Sequence, residues 1–201
     1  MLVLFVLPLL GGAALAQPRR FTVDAGSSRF VVHVGKTGVF GFAGHEHEVV
    51  APVHEGSITI DRDHLESSSV ELIFEAAALR VTGRGEPADD VPKVQAAMVG
   101  AQCLDADRFR TIRFSSKAVK VTSEAGGSVD VLVRGELTIH GVSREVVVPL
   151  KIRIDADAIS AIGTTSIERT AFGIQPISIG GVVKVKDELR LEWNLKARPV
   201  R

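Results

Sequence analysis

The chain has no tyrosine and only one cysteine and one tryptophan among its 201 residues. With Cys103 alone there can be no internal disulfide, so packing must hold the fold together. Gln102 and Leu104 beside it offer no activating cation, so Cys103 reads as a small filler rather than a nucleophile. Charge of one sign is also missing: 24 basic residues balance 24 acidic ones. Without a basic patch, nucleic acid is excluded as a partner. There is no Gly-x-Ser-x-Gly elbow, no glycine-rich phosphate loop, no Cys-x-x-Cys-His and no His-Glu-x-x-His. An enzyme is therefore not expected. Beyond the first few residues, no apolar run approaches the ~20 residues that a helix needs to cross a bilayer.

The residues at the start read differently. Met1 to Ala16 carry no charged side chain, and Ala14-Leu15-Ala16 offers an Ala-x-Ala cleavage site before Gln17. The apolar stretch from Leu2 to Leu10 is too short to span a membrane, so residues 1–16 are expected to be a secretory signal peptide. That segment lacks the usual basic n-region. Residues 17–201 then form a single domain, large enough for its own core and delivered to the periplasm or secreted.

Period-two alternation dominates that domain. Leu137 and Ile139 alternate with Glu136, Thr138 and His140 before Gly141 breaks the run. Val146, Val148, Leu150, Ile152 and Ile154 then alternate with Lys151, Arg153 and Asp155, which predicts a long antiparallel hairpin with one apolar face. Further strands are predicted over Phe21 to Val23, Arg29 to Lys36, His45 to Ala51, Glu55 to Ile60 and Ala158 to Glu168. The strand over Ser69 to Leu79 is expected to present Val70, Leu72, Phe74, Ala76 and Ala78 on one face. Ile112 to Thr122 changes its apolar phase, which predicts a bulge. The last strand sets Leu189, Leu191, Trp193, Leu195 and Ala197 against Arg190, Glu192, Asn194 and Lys196.

One segment breaks the rhythm. After Gly83, Gly85 and Pro87 the chain turns helical, with Asp89 or Asp90 as cap, Pro92 in the first turn, and Val91, Val94, Met98 and Ala101 on one face. The fold class is thus all-β, an antiparallel lipocalin-like eight-stranded β-barrel with one inserted α-helix. A two-sheet sandwich is the alternative. Aromatic residues make up only 5% of the chain, so a barrel lumen would not fill itself and would suit a linear apolar ligand.

His45 and His47 are the one cluster with metal chemistry, since both imidazoles of a His-x-His strand point the same way. A cupin site would need a glutamate four or five positions after the second histidine, where Ala51 and Pro52 stand.

The segment from Gly135 to Ser143, Gly-Glu-Leu-Thr-Ile-His-Gly-Val-Ser, resembles the most recognisable block of the YceI-like family. Three other blocks occur in the family's order: Phe30 to Val34 leading to Gly38-Val39-Phe40-Gly41-Phe42, Leu104 to Ser116, and Arg169-Thr170-Ala171-Phe172-Gly173-Ile174. The resemblance covers about Phe21 to Ala197. Arg110 replaces the family's usual proline and Ala171 its usual acidic residue. The resemblance implies a periplasmic carrier that holds a hydrophobic small molecule, an isoprenoid or acyl-chain lipid or a quinone, with a helix near the mouth. No catalytic cofactor is implied, and a homodimer is compatible with it. The residues assigned to the lining or mouth are Phe40, Phe42, Phe74, Met98, Phe109, Phe114, Phe172 and Trp193, none of them catalytic. The alternatives are a metal-binding protein or metal-dependent enzyme using His45 and His47, and an interaction module with a solid core.

Overall fold

The computed structural model describes residues 17–37, 47–84, 86–175, 178–179 and 183–200. The proposed signal segment, Phe40, Phe42 and His45 lie outside the described residues.

The strands are β1 (Arg19–Val23), β2 (Arg29–Thr37), β3 (His47–Val50), β4 (Val53–Ile60), β5 (Ser69–Glu75), β6 (Arg80–Val81), β7 (Thr111–Ala125), β8 (Ser128–Ile139), β9 (Val142–Ile154), β10 (Ile159–Glu168), β11 (Ser178–Ile179) and β12 (Val183–Pro199). One helix, α1 (Val91–Val99), lies between β6 and β7. Every pairing is antiparallel, and the sheet closes where β1 meets β12, with Phe21 opposite Pro199 and Val23 opposite Ala197. The ring is an eight-stranded up-and-down barrel, because three of its long strands are interrupted. β1 and β2 form one, β3 and β4 the next, and β5 and β6 the third, while β7, β8, β9, β10 and β12 are continuous. Closure rules out the sandwich.

The three interruptions have local causes. Between β1 and β2 the amides of Ser27 and Ser28 turn back onto the Asp24 carbonyl, at 3.2 and 2.9 Å. Between β3 and β4 stands Pro52, which has no amide to donate to a ladder. Between β5 and β6, Ala76 to Ala78 form a short 3-10 turn, with Leu79 N–H donating to the Ala76 carbonyl at 3.4 Å. This corrects the alternation expected through Leu79. A run of alanines has no branched side chain to favour the pleat, and the strand ends at Glu75. Ala76 is buried, but Ala78 is no longer in register with Leu72 and Phe74.

The hairpin follows its expectation. β8 and β9 pair from Val129 opposite Ile152 to Ile139 opposite Val142. The two turn residues, His140 and Gly141, both have positive φ, 52° and 73°, as a primed two-residue turn requires. The expected bulge appears as register shifts between Ser116 and Ala118 and between Val121 and Ser123.

α1 begins at Val91 with Asp90 before it and proline in its first turn, but Asp90 makes no capping hydrogen bond. Its carboxylate instead accepts from Lys93 Nζ at 2.9 Å. Val91, Val94 and Met98 pack against the core, whereas Ala101 lies past the helix end and is exposed. Gln95 pins the helix to the barrel rim: its Oε1 accepts from Val81 N–H and its Nε2 donates to the Leu79 carbonyl, both at 2.9 Å. Among the described residues no helix is long and apolar enough to cross a membrane.

Candidate functional site

The inward faces of the strands do not fill the barrel. They enclose a cavity of about 210 Å³, more than ten times the ~10–15 Å³ that one water needs. Its wall is almost wholly hydrocarbon. Val146, Val148, Leu150 and Ile152 line it from β9, Val131, Val133 and Leu137 from β8, and Leu191, Trp193 and Leu195 from β12. Alternation had placed all of these but Val131 and Val133 on the apolar faces of their strands. Apart from the Trp193 indole, this wall offers a water molecule few polar partners.

Two of the expected aromatic lining residues owe their placement to their surroundings. Phe74 meets Phe30 edge-on, with ring centroids 5.1 Å apart and planes at 73°, a favourable geometry for two rings. The ring of Phe114 lies across Gly135 on the neighbouring strand, where a Cβ would come within 2.6 Å of it. Trp193 behaves likewise. It stands opposite Gly163 on β10, and a Cβ there would lie 2.9 Å from its Nε1 and 2.3 Å from the Pro149 carbonyl oxygen. Each glycine leaves room for a neighbouring ring to fold flat against the wall rather than block the lumen.

Phe109 and Phe172 sit elsewhere. Phe109 is tilted against His140 at 4.4 Å, with Arg108 over its other neighbourhood at 5.0 Å, so it clamps the hairpin turn. Phe172 is 1% exposed and belongs to the solid core. Met98, on α1, packs against the core, and no α1 side chain reaches the cavity wall. Conversely, aliphatic residues that an aromatic-centred choice passes over make up most of the wall. Their signal was present in the strict alternation of valine, leucine and isoleucine.

His47 lies on the rim at the start of β3, apart from the cavity. Its Nδ1 is 3.0 Å from Glu86 Oε1, at angles outside hydrogen-bond geometry, and the Glu86 side chain is only 1% exposed. Next to it Glu48 is buried and paired with Arg29 at 3.2 Å and Arg84 at 3.4 Å. Among the described residues no group of three or more His, Cys, Asp or Glu side chains is placed to hold a metal ion. Cys103 is half-buried below the rim, and burial pushes its thiol above the ordinary range, with Arg169 partly opposing.

A closed eight-stranded barrel around an unfilled apolar lumen defines the class of small β-barrel binding proteins. The family model for the YceI-like domain matches residues 21–197, and the chain belongs to that family. Solved structures with the same fold include BcnA from Burkholderia cenocepacia, at 19% identity and TM-score 0.62, covering 87% of this chain and 98% of that one. A polyisoprenoid-binding domain from Saccharophagus degradans, implicated in plant cell wall breakdown, aligns at 11% identity and TM-score 0.63 over 90% of this chain and 98% of its own. The YCEI protein of Campylobacter jejuni aligns at 17% identity and TM-score 0.54, over 75% and 85% of the two chains. No curated protein matches the sequence significantly.

Proposed function

We propose that this protein is an exported carrier that holds an amphiphile with a long isoprenoid or acyl chain in the barrel lumen, without catalysing a reaction. The observation that carries the reading is the cavity itself. The barrel leaves about 210 Å³ open and lines it mainly with aliphatic side chains. Leaving such a space empty forfeits packing that a few larger side chains would supply. A linear hydrocarbon restores it. At ~0.8 kcal/mol per buried CH₂, ten methylenes contribute ~8 kcal/mol before the cost of ordering the chain. The wall thus supplies affinity, and the width of the lumen selects slender tails.

Membership of the YceI-like family and the polyisoprenoid-binding title of the Saccharophagus neighbour support the same ligand class. Export rests on the uncharged apolar segment Met1 to Ala16 and its Ala-x-Ala site. The test is organic extraction of protein purified from its native compartment, followed by mass spectrometry of the extract. A stoichiometric long-chain lipid is expected; protein that is consistently lipid-free and takes up no long-chain probe would refute the reading.

A further inference from the structure

Resting on that reading, we infer that the bound amphiphile carries a hydrogen-bond-accepting oxygen inside the lumen, and that Trp193 donates to it. The ligand class is then a long-chain carbonyl, ester, amide or quinone rather than a bare hydrocarbon tail with its head group outside.

The starting point is one buried donor. Trp193 lines the cavity, is 9% exposed, and its Nε1 has no hydrogen-bond partner among the described residues. A buried indole N–H ordinarily finds a partner, because leaving it unmade costs its full desolvation. Three of the four other polar side chains that share the wall, Ser68, Thr165 and Glu192, are occupied or turned away. Ser68 Oγ accepts from the Asp61 amide at 3.1 Å, and Thr165 Oγ1 donates to the Val147 carbonyl at 3.3 Å. Glu192 turns its carboxylate outward to His33 and Arg190, both at 3.2 Å. Of the buried side-chain polar atoms left unpaired among the described residues, the Trp193 nitrogen is the one on the cavity wall.

Its surroundings hold it there. Gly163 opposite leaves the space that the indole edge occupies, and Leu150 Cδ2 borders the same space. A rigid ring with one donor at a fixed depth, in a wall that otherwise offers only dispersion, discriminates by position. An acceptor oxygen at that depth gains a hydrogen bond in a low-dielectric site, and a methylene there leaves the donor stranded. The aliphatic wall grips the tail and the indole sets where the tail stops.

Trp193 is the only tryptophan in the chain, so its indole N–H gives a single resonance in a proton–nitrogen correlation spectrum. Delipidated protein is titrated with methyl palmitate and, separately, with heptadecane, both delivered from cyclodextrin. The ester is expected to move the indole proton downfield and slow its exchange, while heptadecane binds without doing so. The ester should also bind about tenfold more tightly than the alkane, near the upper end for a neutral hydrogen bond. In Trp193→Phe that ratio should fall to near one, with alkane affinity little changed. An ester that binds while the indole resonance stays put overturns the proposal and leaves the lumen reading intact. Failure of both probes to bind overturns both. An indole proton already downfield and protected in the delipidated protein reveals an internal partner and overturns the proposal alone. If Trp193→Phe does not fold, the wild-type spectra decide.

Discussion

Replacing Ala161 with Phe tests the open lumen most directly. Ala161 lies on β10, is 5% exposed and lines the cavity, with Leu195 of β12 and Ile152 of β9 as its cross-strand neighbours. An added phenyl ring would point along the same inward direction into about 210 Å³ of open space. Burying a phenylalanine side chain is worth roughly 1.5–3 kcal/mol relative to leaving it exposed. Alanine already realises a small part of that, and some strain is added, so the ligand-free variant should be unchanged or more stable by ~1–2 kcal/mol. The same ring occupies the volume that the first several methylenes of a tail would take, at ~0.8 kcal/mol each. Ligand binding should therefore be lost while the fold is kept. Were the interior close-packed, the ring would instead overpack it and cost roughly 1–3 kcal/mol. With a urea m-value of ~1–3 kcal/mol/M, that cost would lower the unfolding midpoint by ~1 M. The assay pairs urea unfolding of delipidated protein with mass spectrometry of extracted lipid. A midpoint that falls by ~1 M, or an undiminished lipid content, would refute the reasoning.

Two further predictions concern titratable groups. The Asp187 carboxyl is held below its ordinary range, first by the Thr170 hydroxyl at 2.6 Å and then by the Thr170 amide at 3.0 Å, which tie the turn after β10 to β12. A depressed folded-state pKa stabilises the fold above the unfolded value of ~3.9 and loses that contribution as pH falls through the folded value. Asp187→Asn, which keeps an acceptor but not the charge, should flatten stability against pH below about 4; a slope identical to wild type would count against the assignment. Cys103, its thiol pushed up by burial, should react with an aromatic disulfide reagent at least about tenfold more slowly in the native protein than in denaturant, since the thiolate is the reactive form. Equal rates would show that the thiol is open to solvent.

How much of this was legible in the residues differs by element. Alternation is a local property, so Val146, Val148, Leu150 and Ile152 declared their common face without any knowledge of what lay opposite, and the structure turns all four to the lumen. The phase change after Phe114 announced a bulge for the same reason, and Gly141 announced a turn; His140, which alternation put at the end of the strand, is instead the first turn residue, with φ of 52°. Phe109 misled, because a ring beside a strand reads as lining whether it faces the cavity or, as here, caps a turn whose Gly141 admits it. Ala78 misled because polyalanine has no strong pleat preference, and the 3-10 turn was decided by its setting. There the Ala76 amide donates to the Arg110 carbonyl at 2.9 Å, far along the chain.

The sequence by itself determined a chain of apolar-faced strands and one inserted helix, because each of these depends on residues within a turn or two of one another. Only the tertiary structure decided that β1 closes against β12, that the lumen stays open, and that one buried indole nitrogen on its wall has no partner among the described residues. Those outcomes depend on register between residues far apart in the chain, Phe21 with Pro199 and Gly163 with Trp193. There, what counts is the space left by Gly135 and Gly163 on neighbouring strands, which no local pattern records.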